Sequence, residues 1–201
     1  IEKAKELVHD IEAYPTAIDG KVSFDFKESD LMQVVNDKDF ILCRVNAPLV
    51  KLCLDFIRNG KKAIVKGRDI GAMIKDLIEN AAKETDNSLS AIVNKLIELR
   101  DTTVLRLTEQ KKEGEAISFS DRIETALVFF EKQTDLAGVY ARIDSVFSDT
   151  ITGICLSTIH KIKGLEADRV FILKPSLLPH PKASSMWQQE QEMNLKYVAC
   201  T

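Results

Sequence analysis

Short apolar runs and one amphipathic stretch alternate in the first third of the chain. Phe40 to Cys43 is an unbroken apolar run, which is typical of a strand buried on both faces. Apolar positions at three- and four-residue spacing then predict a helix from Leu49 to Ile57, with Asn46 as its N-cap. Lys62 to Lys66 predicts a second strand. A strand–helix–strand unit of this kind indicates a parallel sheet.

The residues before this unit give weaker patterns. Lys3 to Ala13 carries apolar residues on one helical face and predicts a helix. Tyr14 to Gly20 has the composition of a turn. Lys21 to Phe26 alternates apolar and polar residues and therefore predicts a short strand with one face in water.

From Ile70 to Ser148 the period changes from that of strands to that of helices. Ser88 or Asn87, and Asp121 with Glu124 three residues later, have the pattern of helix caps. We therefore predict an all-helical subdomain inserted into an α/β domain. The predicted helices cover residues 70–83, 89–112, 123–132 and 136–147.

The strand pattern resumes at Gly153 to Thr158 and at Arg169 to Leu173, and a proline-containing loop follows. Met186 to Val198 predicts a last helix. The predicted domains are accordingly a discontinuous α/β domain of residues 1–70 and 149–201, and a helical insertion of residues 71–148.

Charge and cysteine content exclude several classes of protein. The net charge of -3 argues against nucleic-acid binding by bulk positive charge, although a narrow track of a few residues stays possible. No apolar stretch approaches the length of a membrane span, so no membrane association is expected. The four cysteines form no C-x-x-C pair and the three histidines are far apart, so we predict no metal site and a reducing, cytoplasmic location.

The polar stretch from Thr158 to Glu166, between two predicted strands, has the residue types of a ligand site. Loops that follow parallel strands are where α/β proteins place ligand contacts. Gly164 permits a positive φ or a close backbone approach, and the Glu166 carboxylate suits ribose hydroxyls. Thr158, His160 and Lys161 suit phosphate oxygens. Taken singly, each of these residues is more typical of a solvated loop than of a ligand site.

Taken together, the stretch resembles motif V of the UvrD/Rep-type superfamily 1 helicases, T-x-H-x-x-K-G-L-E before a strand. Ile41 to Asn46 resembles motif IV, a strand that ends in an arginine before a helix, and Lys66 to Ile70 lies where a segment called IVa is expected. Glu190 to Thr201 resembles the start of motif VI, where Tyr197, Val198 and Thr201 match. The motif V matches are Thr158, His160, Lys163, Gly164, Leu165 and Glu166.

The resemblance implies a RecA-like parallel sheet with flanking helices, which is the second of two motor domains that close on ATP. By resemblance, Arg44 stabilises charge on the transferring phosphoryl group. Glu166 contacts the ribose, and Lys163 and Gly164 shape the loop at the nucleotide cleft.

The resemblance also implies single-stranded DNA as a partner, contacted by four residues at the strand ends and in the last helix. ATP and Mg²⁺ are the implied cofactors, with the metal held mainly by the N-terminal motor domain of the same chain. Movement in the 3′ to 5′ direction and a part in DNA repair are further implications. The implied DNA contacts are Thr158, His160, Lys161 and Tyr197.

Two departures from the family pattern shape this expectation. No G-x-x-x-x-G-K-[ST] phosphate loop occurs in the chain, so the chain is not expected to hydrolyse ATP by itself. The chain also begins and ends inside predicted helices, and Thr201 stands one position before the motif VI arginine, which is the pattern of a piece of a longer protein.

Two alternatives stay open at this point. The first is the motor part of a helicase–nuclease, which sequence beyond Thr201 would reveal. The second is a non-catalytic RecA-like interaction module, which the acidic balance favours slightly. A free-standing small-molecule enzyme has little support, because there is no nucleophile elbow and no G-x-G-x-x-G.

Overall fold

Five parallel strands form the centre of the fold in the computed structural model, which describes residues 15–16, 20–24, 26–150, 152–183 and 185–200. The strand order is β3-β2-β4-β1-β5, and every neighbouring pair is parallel. β2 and β3 are neighbours, and each other pair of consecutive strands has one strand between its members. Because all of the pairs are parallel, crossover connections and not hairpins join the strands. The strands are β1 (Phe40–Cys43), β2 (Ala63–Lys66), β3 (Phe147–Ser148), β4 (Ile154–Thr158) and β5 (Val170–Ile172).

Helices cover both faces of the sheet. Two 3-10 turns, Glu28–Asp30 and Pro175–Leu177, complete the described elements. The helices are α1 (Leu31–Val34), α2 (Asn46–Arg58), α3 (Arg68–Lys83), α4 (Leu89–Glu109), α5 (Glu113–Phe130), α6 (Leu136–Val146), α7 (Ile159–Ile162) and α8 (Met186–Cys200).

Alternation along β1 divides the buried residues between the two faces. Ile41 and Cys43 pack with helices α1 to α6 in the larger core, which continues from the sheet into the helices around Ile123 and Phe129. Phe40 and Leu42 face the other way, against α7 and the inner face of α8. This layered α/β arrangement, with a parallel sheet between helices, is that of a RecA-like fold.

The sequence predicted most of these elements. The apolar run from Phe40 to Cys43 is β1, the second strand predicted at Lys62 to Lys66 contains β2, and the later strand predictions correspond to β4 and β5. The helix after β1 and the final helix are confirmed, as are four helices between β2 and β3. Ser88 caps α4, since its side chain accepts a hydrogen bond from the Ala91 N–H at 3.2 Å. The division into an α/β domain and a helical insertion stays a prediction.

Some local predictions were wrong. No strand occurs among residues 20–24 or at Phe26, because no strand in the described part of the chain pairs with this segment. Val22 and Phe24 are exposed. Asn46 is the first residue of α2 and Val45 is the N-cap. The third predicted helix begins ten residues earlier, at Glu113, so Asp121 lies inside it and does not cap it.

The structure also contains two short elements that the sequence did not predict. The segment predicted as the end of a helix at residue 147 contains the short strand β3, and the polar stretch after β4 contains the one-turn helix α7. The predicted helix Lys3 to Ala13 lies outside the described residues.

Among the cysteines, Cys43, Cys53 and Cys155 are buried as expected and Cys200 is exposed. Burial raises the pKa of the Cys53 thiol to about 12. No described helix is long and apolar enough to cross a membrane.

Candidate functional site

The carboxyl edge of the sheet brings the ends of β1 and β4 together. Cys43 is paired in register with Thr158, so Arg44 and Ile159 leave the sheet side by side. Ligands of parallel α/β sheets bind at this edge. The structure therefore places two segments far apart in the chain, one with Arg44 and one with His160, at the position where a ligand is expected.

Arg44 makes the most specific contact at this edge. Its Nε donates to Oε1 and Oε2 of Glu192, at 2.9 and 3.0 Å, and its Nη2 donates to Oε1 at 2.7 Å. Glu192 lies in α8, and both side chains are largely buried, with 19% of Arg44 and 7% of Glu192 exposed. A bidentate, charge-assisted ion pair of this kind fixes both the position and the plane of the guanidinium.

Glu192 is held in turn by the loop before α8. Its Oε2 accepts a hydrogen bond from the backbone N–H of His180 at 2.9 Å. Burial opposes ionisation of Glu192, but the hydrogen bonds from Arg44 and from His180 outweigh it and lower the pKa of this carboxyl. Glu192 is therefore a carboxylate at neutral pH.

Two histidines lie near this ion pair. Crowding by protein atoms and the positive charge of Arg44 lower the pKa of His160, although the residue reaches the surface. Burial and the charge of Arg44 likewise lower the pKa of His180, whose Nδ1 accepts from the Lys182 N–H at 3.2 Å. Both imidazoles are therefore neutral at pH 7. They can exchange hydrogen bonds or stack, but they add no positive charge.

The helical segment reaches the same place through Asp121 of α5. Its carboxylate accepts from the backbone N–H groups of Asn46, at 2.9 and 3.0 Å, and of Ala47, at 3.1 Å. It also accepts from Asn46 Nδ2 at 2.8 Å. The side chain thus caps the N-terminus of α2 from another helix, two residues after Arg44.

Helix α7 anchors the polar stretch that follows β4. Ile159 and Ile162 are buried beneath it, whereas His160 and Lys161 between them are exposed. Thr158 is the N-cap of the helix and is only 7% exposed, so its side chain contributes little surface in this conformation. Lys161 forms an ion pair with Asp69 in the first turn of α3, and that hydrogen bond lowers the pKa of Asp69.

The next residues are open. Lys163, Gly164 and Glu166 are all exposed, and Gly164 has a φ of +85° with no atom within 4 Å of the place where a Cβ would stand. No described residue forms a hydrogen bond or an ion pair with the Glu166 carboxylate. These residues belong to the connection that runs from the carboxyl edge back to the start of β5, and no contact joins Glu166 to Arg44.

Tyr197 lies on α8, five residues beyond Glu192, and is half-buried. Its neighbours Leu195 and Val198 pack on the core beneath α8. Helix α8 lies over the carboxyl edge, where Glu192 contacts Arg44 and the helix contacts α7. Tyr197 lies further along the same helix.

Comparison with known families decides what this arrangement belongs to. Residues 73–201 match the model of the UvrD-like helicase C-terminal domain. The chain belongs to the UvrD-like helicase C-terminal domain family. It is therefore a helicase C-terminal motor domain, and the family suggests DNA binding. No curated protein and no solved structure matches the chain.

The match to the UvrD-like family covers α7, the loop with Glu166 and the described part of α8, together with Asp121. It begins after β1 and β2, so Arg44 lies outside the matched residues. The position of Arg44 at the carboxyl edge is given by the sheet register and by its contact with Glu192.

Sequence reasoning missed the residues that support Arg44. Glu192 stood among the acidic residues before Tyr197, with nothing to distinguish it from Glu190, and His180 contacts Glu192 by its backbone. Asp121 was interpreted as a cap of its own helix. Among the described residues, no group of three or more His, Cys, Asp or Glu could hold a metal ion.

Proposed function

We propose that this domain supplies the second half of the ATP cleft, and part of the single-stranded DNA track, of an ATP-dependent DNA helicase. The observation that carries the proposal is the position of Arg44. It stands at the carboxyl edge of β1, held by Glu192, beside the exposed His160 and Lys161 of α7.

On the ATP side, Arg44 is the group that stabilises negative charge on the transferring phosphoryl. A guanidinium suits this task because it is always charged and its donors match phosphate oxygens. Lys163 and Gly164 shape the neighbouring loop, and the exposed carboxylate of Glu166 accepts a hydrogen bond from the ribose. ATP supplies the phosphoryl group, and the N-terminal motor domain supplies the phosphate loop and holds Mg²⁺.

On the DNA side, the exposed surface of α7 forms the track, with Tyr197 of α8 further along it. A neutral imidazole at His160 contacts a base or sugar by stacking and hydrogen bonding, whereas Lys161 contributes charge against phosphates. Thr158 supports the track from beneath as the buried first residue before the helix.

Closure of the cleft and movement on DNA are coupled through α7. The helix follows β4 directly, contacts α8, and is tied to α3 by the Lys161–Asp69 pair. Since α8 holds Arg44 through Glu192, a shift of Arg44 toward ATP is transmitted to the residues that contact DNA. Each nucleotide state then favours one position of the track.

The test of the ATP role is Arg44→Ala in the motor protein that joins this chain to its N-terminal motor domain. DNA-stimulated ATP hydrolysis is measured over a range of ATP concentrations. We expect kcat to fall at least about a hundredfold, since arginines in this position contribute large factors to phosphoryl transfer. Arg58→Ala, at the other end of α2, is the matched control and should retain the parental kcat. An undiminished kcat in Arg44→Ala would remove the carrying observation.

The test of the DNA role is binding of the chain to a fluorescent single-stranded oligonucleotide at several salt concentrations. We expect weak, salt-sensitive binding, which His160→Ala weakens about fivefold or more by removing a stacking surface. The salt slope should stay the same in that variant because the imidazole is neutral, and it should fall by about 0.7 in Lys161→Ala. Equal binding by the parent and His160→Ala would exclude the imidazole from the track, and an unchanged salt slope in Lys161→Ala would exclude that lysine. Exposed Lys132→Ala is the control for the loss of one positive charge.

A further inference from the structure

The contact between Arg44 and Glu192 uses one edge of the guanidinium only. Both carboxylate oxygens lie on the side formed by Nε and Nη2, at 2.7 to 3.0 Å. A guanidinium carries five N–H donors in one plane, so this contact leaves the donors of Nη1 at the far end of the side chain.

No described residue accepts a hydrogen bond from that far end. Among the described residues, the fully buried side-chain atoms that lack a hydrogen-bond partner are Asn46 Oδ1 and Ser185 Oγ. Arg44 Nη1 also lacks a partner among these residues but does not belong to that set, so it is not fully buried. Solvent therefore reaches Nη1. The largely buried arginine ends in donors that an incoming anion can meet without breaking the contact to Glu192.

Glu192 is itself unable to move away easily. Its side chain is 7% exposed, and the backbone N–H of His180 holds Oε2. Release of Glu192 would leave a buried carboxylate without its two partners, which is costly. A residue whose purpose was to block the arginine would instead be expected on the outer Nη1–Nη2 edge, in the place of a phosphate.

We infer that Glu192 is a positioning residue, which fixes Arg44 so that its Nη1 end points to the transferring phosphoryl group of ATP. This inference rests on the proposed function, since it assigns Arg44 to that phosphoryl. Glu192 touches no substrate and acts only through Arg44. Its contribution is that the guanidinium arrives already oriented, so that no rotamer has to be selected in the transition state.

The experiment is a double-mutant cycle in the motor protein that contains this chain. DNA-stimulated ATP hydrolysis is measured for Glu192→Gln, Arg44→Ala and the double variant. We expect Glu192→Gln to lower kcat about tenfold or more, with KM for ATP within about twofold of the parent. In the Arg44→Ala background the same substitution should cost nothing further, because a residue that works through Arg44 has no effect once Arg44 is gone.

The matched control is Glu190→Gln, an exposed glutamate two residues earlier in α8, which should retain the parental kcat. Losses that multiply in the double variant, or an unchanged or raised kcat in Glu192→Gln, would overturn the inference while leaving Arg44 in its role. A parental kcat in Arg44→Ala would instead overturn the proposed function itself.

A second variant and a second readout separate positioning from simple loss of fold. Glu192→Asp keeps the charge but withdraws the carboxylate by one methylene, so it should fold and still lower kcat. In the isolated chain, the ¹⁵N–¹H signal of Arg44 Nε should exchange slowly with water and become fast in Glu192→Asp. An Nε signal that exchanges at the same rate in both proteins would contradict the positioning role.

Discussion

Strand β1 has an arginine–carboxylate pair at each of its ends, and the two pairs differ in what they leave free. At the amino edge, Asp39 accepts from Arg169 Nε and Nη2 at 2.9 and 2.5 Å. At the carboxyl edge, Glu192 accepts from the same two nitrogens of Arg44. The carboxylate is the more deeply buried partner in both, with 4% of Asp39 and 7% of Glu192 exposed.

The surroundings of the two pairs point to different purposes. Arg169 Nη2 donates a further hydrogen bond to the Val34 carbonyl at 2.9 Å, and Asp39 accepts from the Asn36 N–H at 2.7 Å. This pair therefore joins the residue before β5 to the segment before β1. The pair at the carboxyl edge lies instead among two neutral histidines and a capped helix N-terminus. Since ligands meet parallel sheets at the carboxyl edge, the location of a pair says more about its role than its geometry does.

The largest expected effect that sharpens this comparison is on stability at the amino edge. Asp39→Ala removes the acceptor of several hydrogen bonds, so the free energy of unfolding in urea should fall by roughly 2 kcal/mol, the range for hydrogen bonds to a charged group. Exposed Asp37→Ala is the control and should change stability by less than about 0.5 kcal/mol. In the motor protein, kcat per folded molecule should stay at the parental value, and a specific loss of kcat would erase the distinction between the two edges.

A smaller loss of stability is expected from Asp121→Ala at the carboxyl edge. The substitution uncovers the N–H groups of Asn46 and Ala47, and loss of a helix cap costs about 1 kcal/mol. The urea unfolding midpoint measures this loss. Glu124→Ala, an exposed residue three positions along the same helix, should have at most about half that effect. Equal effects of the two substitutions would mean that the cap contributes nothing to stability.

The smallest expected effect is the dependence of stability on pH, which comes from the two histidines at the carboxyl edge. His160 and His180 have pKa values lowered below 6.5, so the unfolded chain binds protons more readily than the folded chain does. Their contribution to stability is therefore complete above pH 6.5 and is lost as the pH falls through the folded-state pKa values. Glu192, whose pKa is lowered from 4.5, contributes to pH dependence only in more acidic solution.

The measurement is the free energy of unfolding in urea at pH 7.5, 6.5 and 5.5, for the parent and for a His160→Gln/His180→Gln variant. The parent should lose stability toward pH 5.5, and the variant should lose less. His9 is present in both proteins and cancels in the difference. Identical profiles would show that neither histidine is shielded from protonation in the folded state.

Local pattern was sufficient for the elements whose residues are buried by the sheet itself. The run from Phe40 to Cys43 is apolar at every position because β1 lies between two strands and has helices on both of its faces. Every side chain of the run is therefore buried. The segment from Lys21 to Phe26 had an equally regular alternation, but alternation does not supply a partner strand. Strand β3 has two residues, too few to give any period.

The candidate site divides in the same manner. Arg44, His160 and Lys161 could be predicted because each follows a strand within a recognisable motif, and parallel strands bring such positions to one edge. Glu192 and Asp121 could not be predicted, because their partners are 148 and 75 residues away in the chain. A contact of that separation is set by how α8 and α5 pack, which no local spacing encodes.

The cap that Asp121 provides limits how the molecule can be shortened or recombined. A trimmed variant that replaced α5 by a linker would leave the first turn of α2 without its acceptor, immediately after Arg44. Restoring that turn would require a new capping side chain, such as serine or aspartate in place of Val45, the residue at the N-cap position. An exchange of the helical segment with that of a relative would have to preserve a carboxylate at position 121 as well as the surface that packs on the sheet.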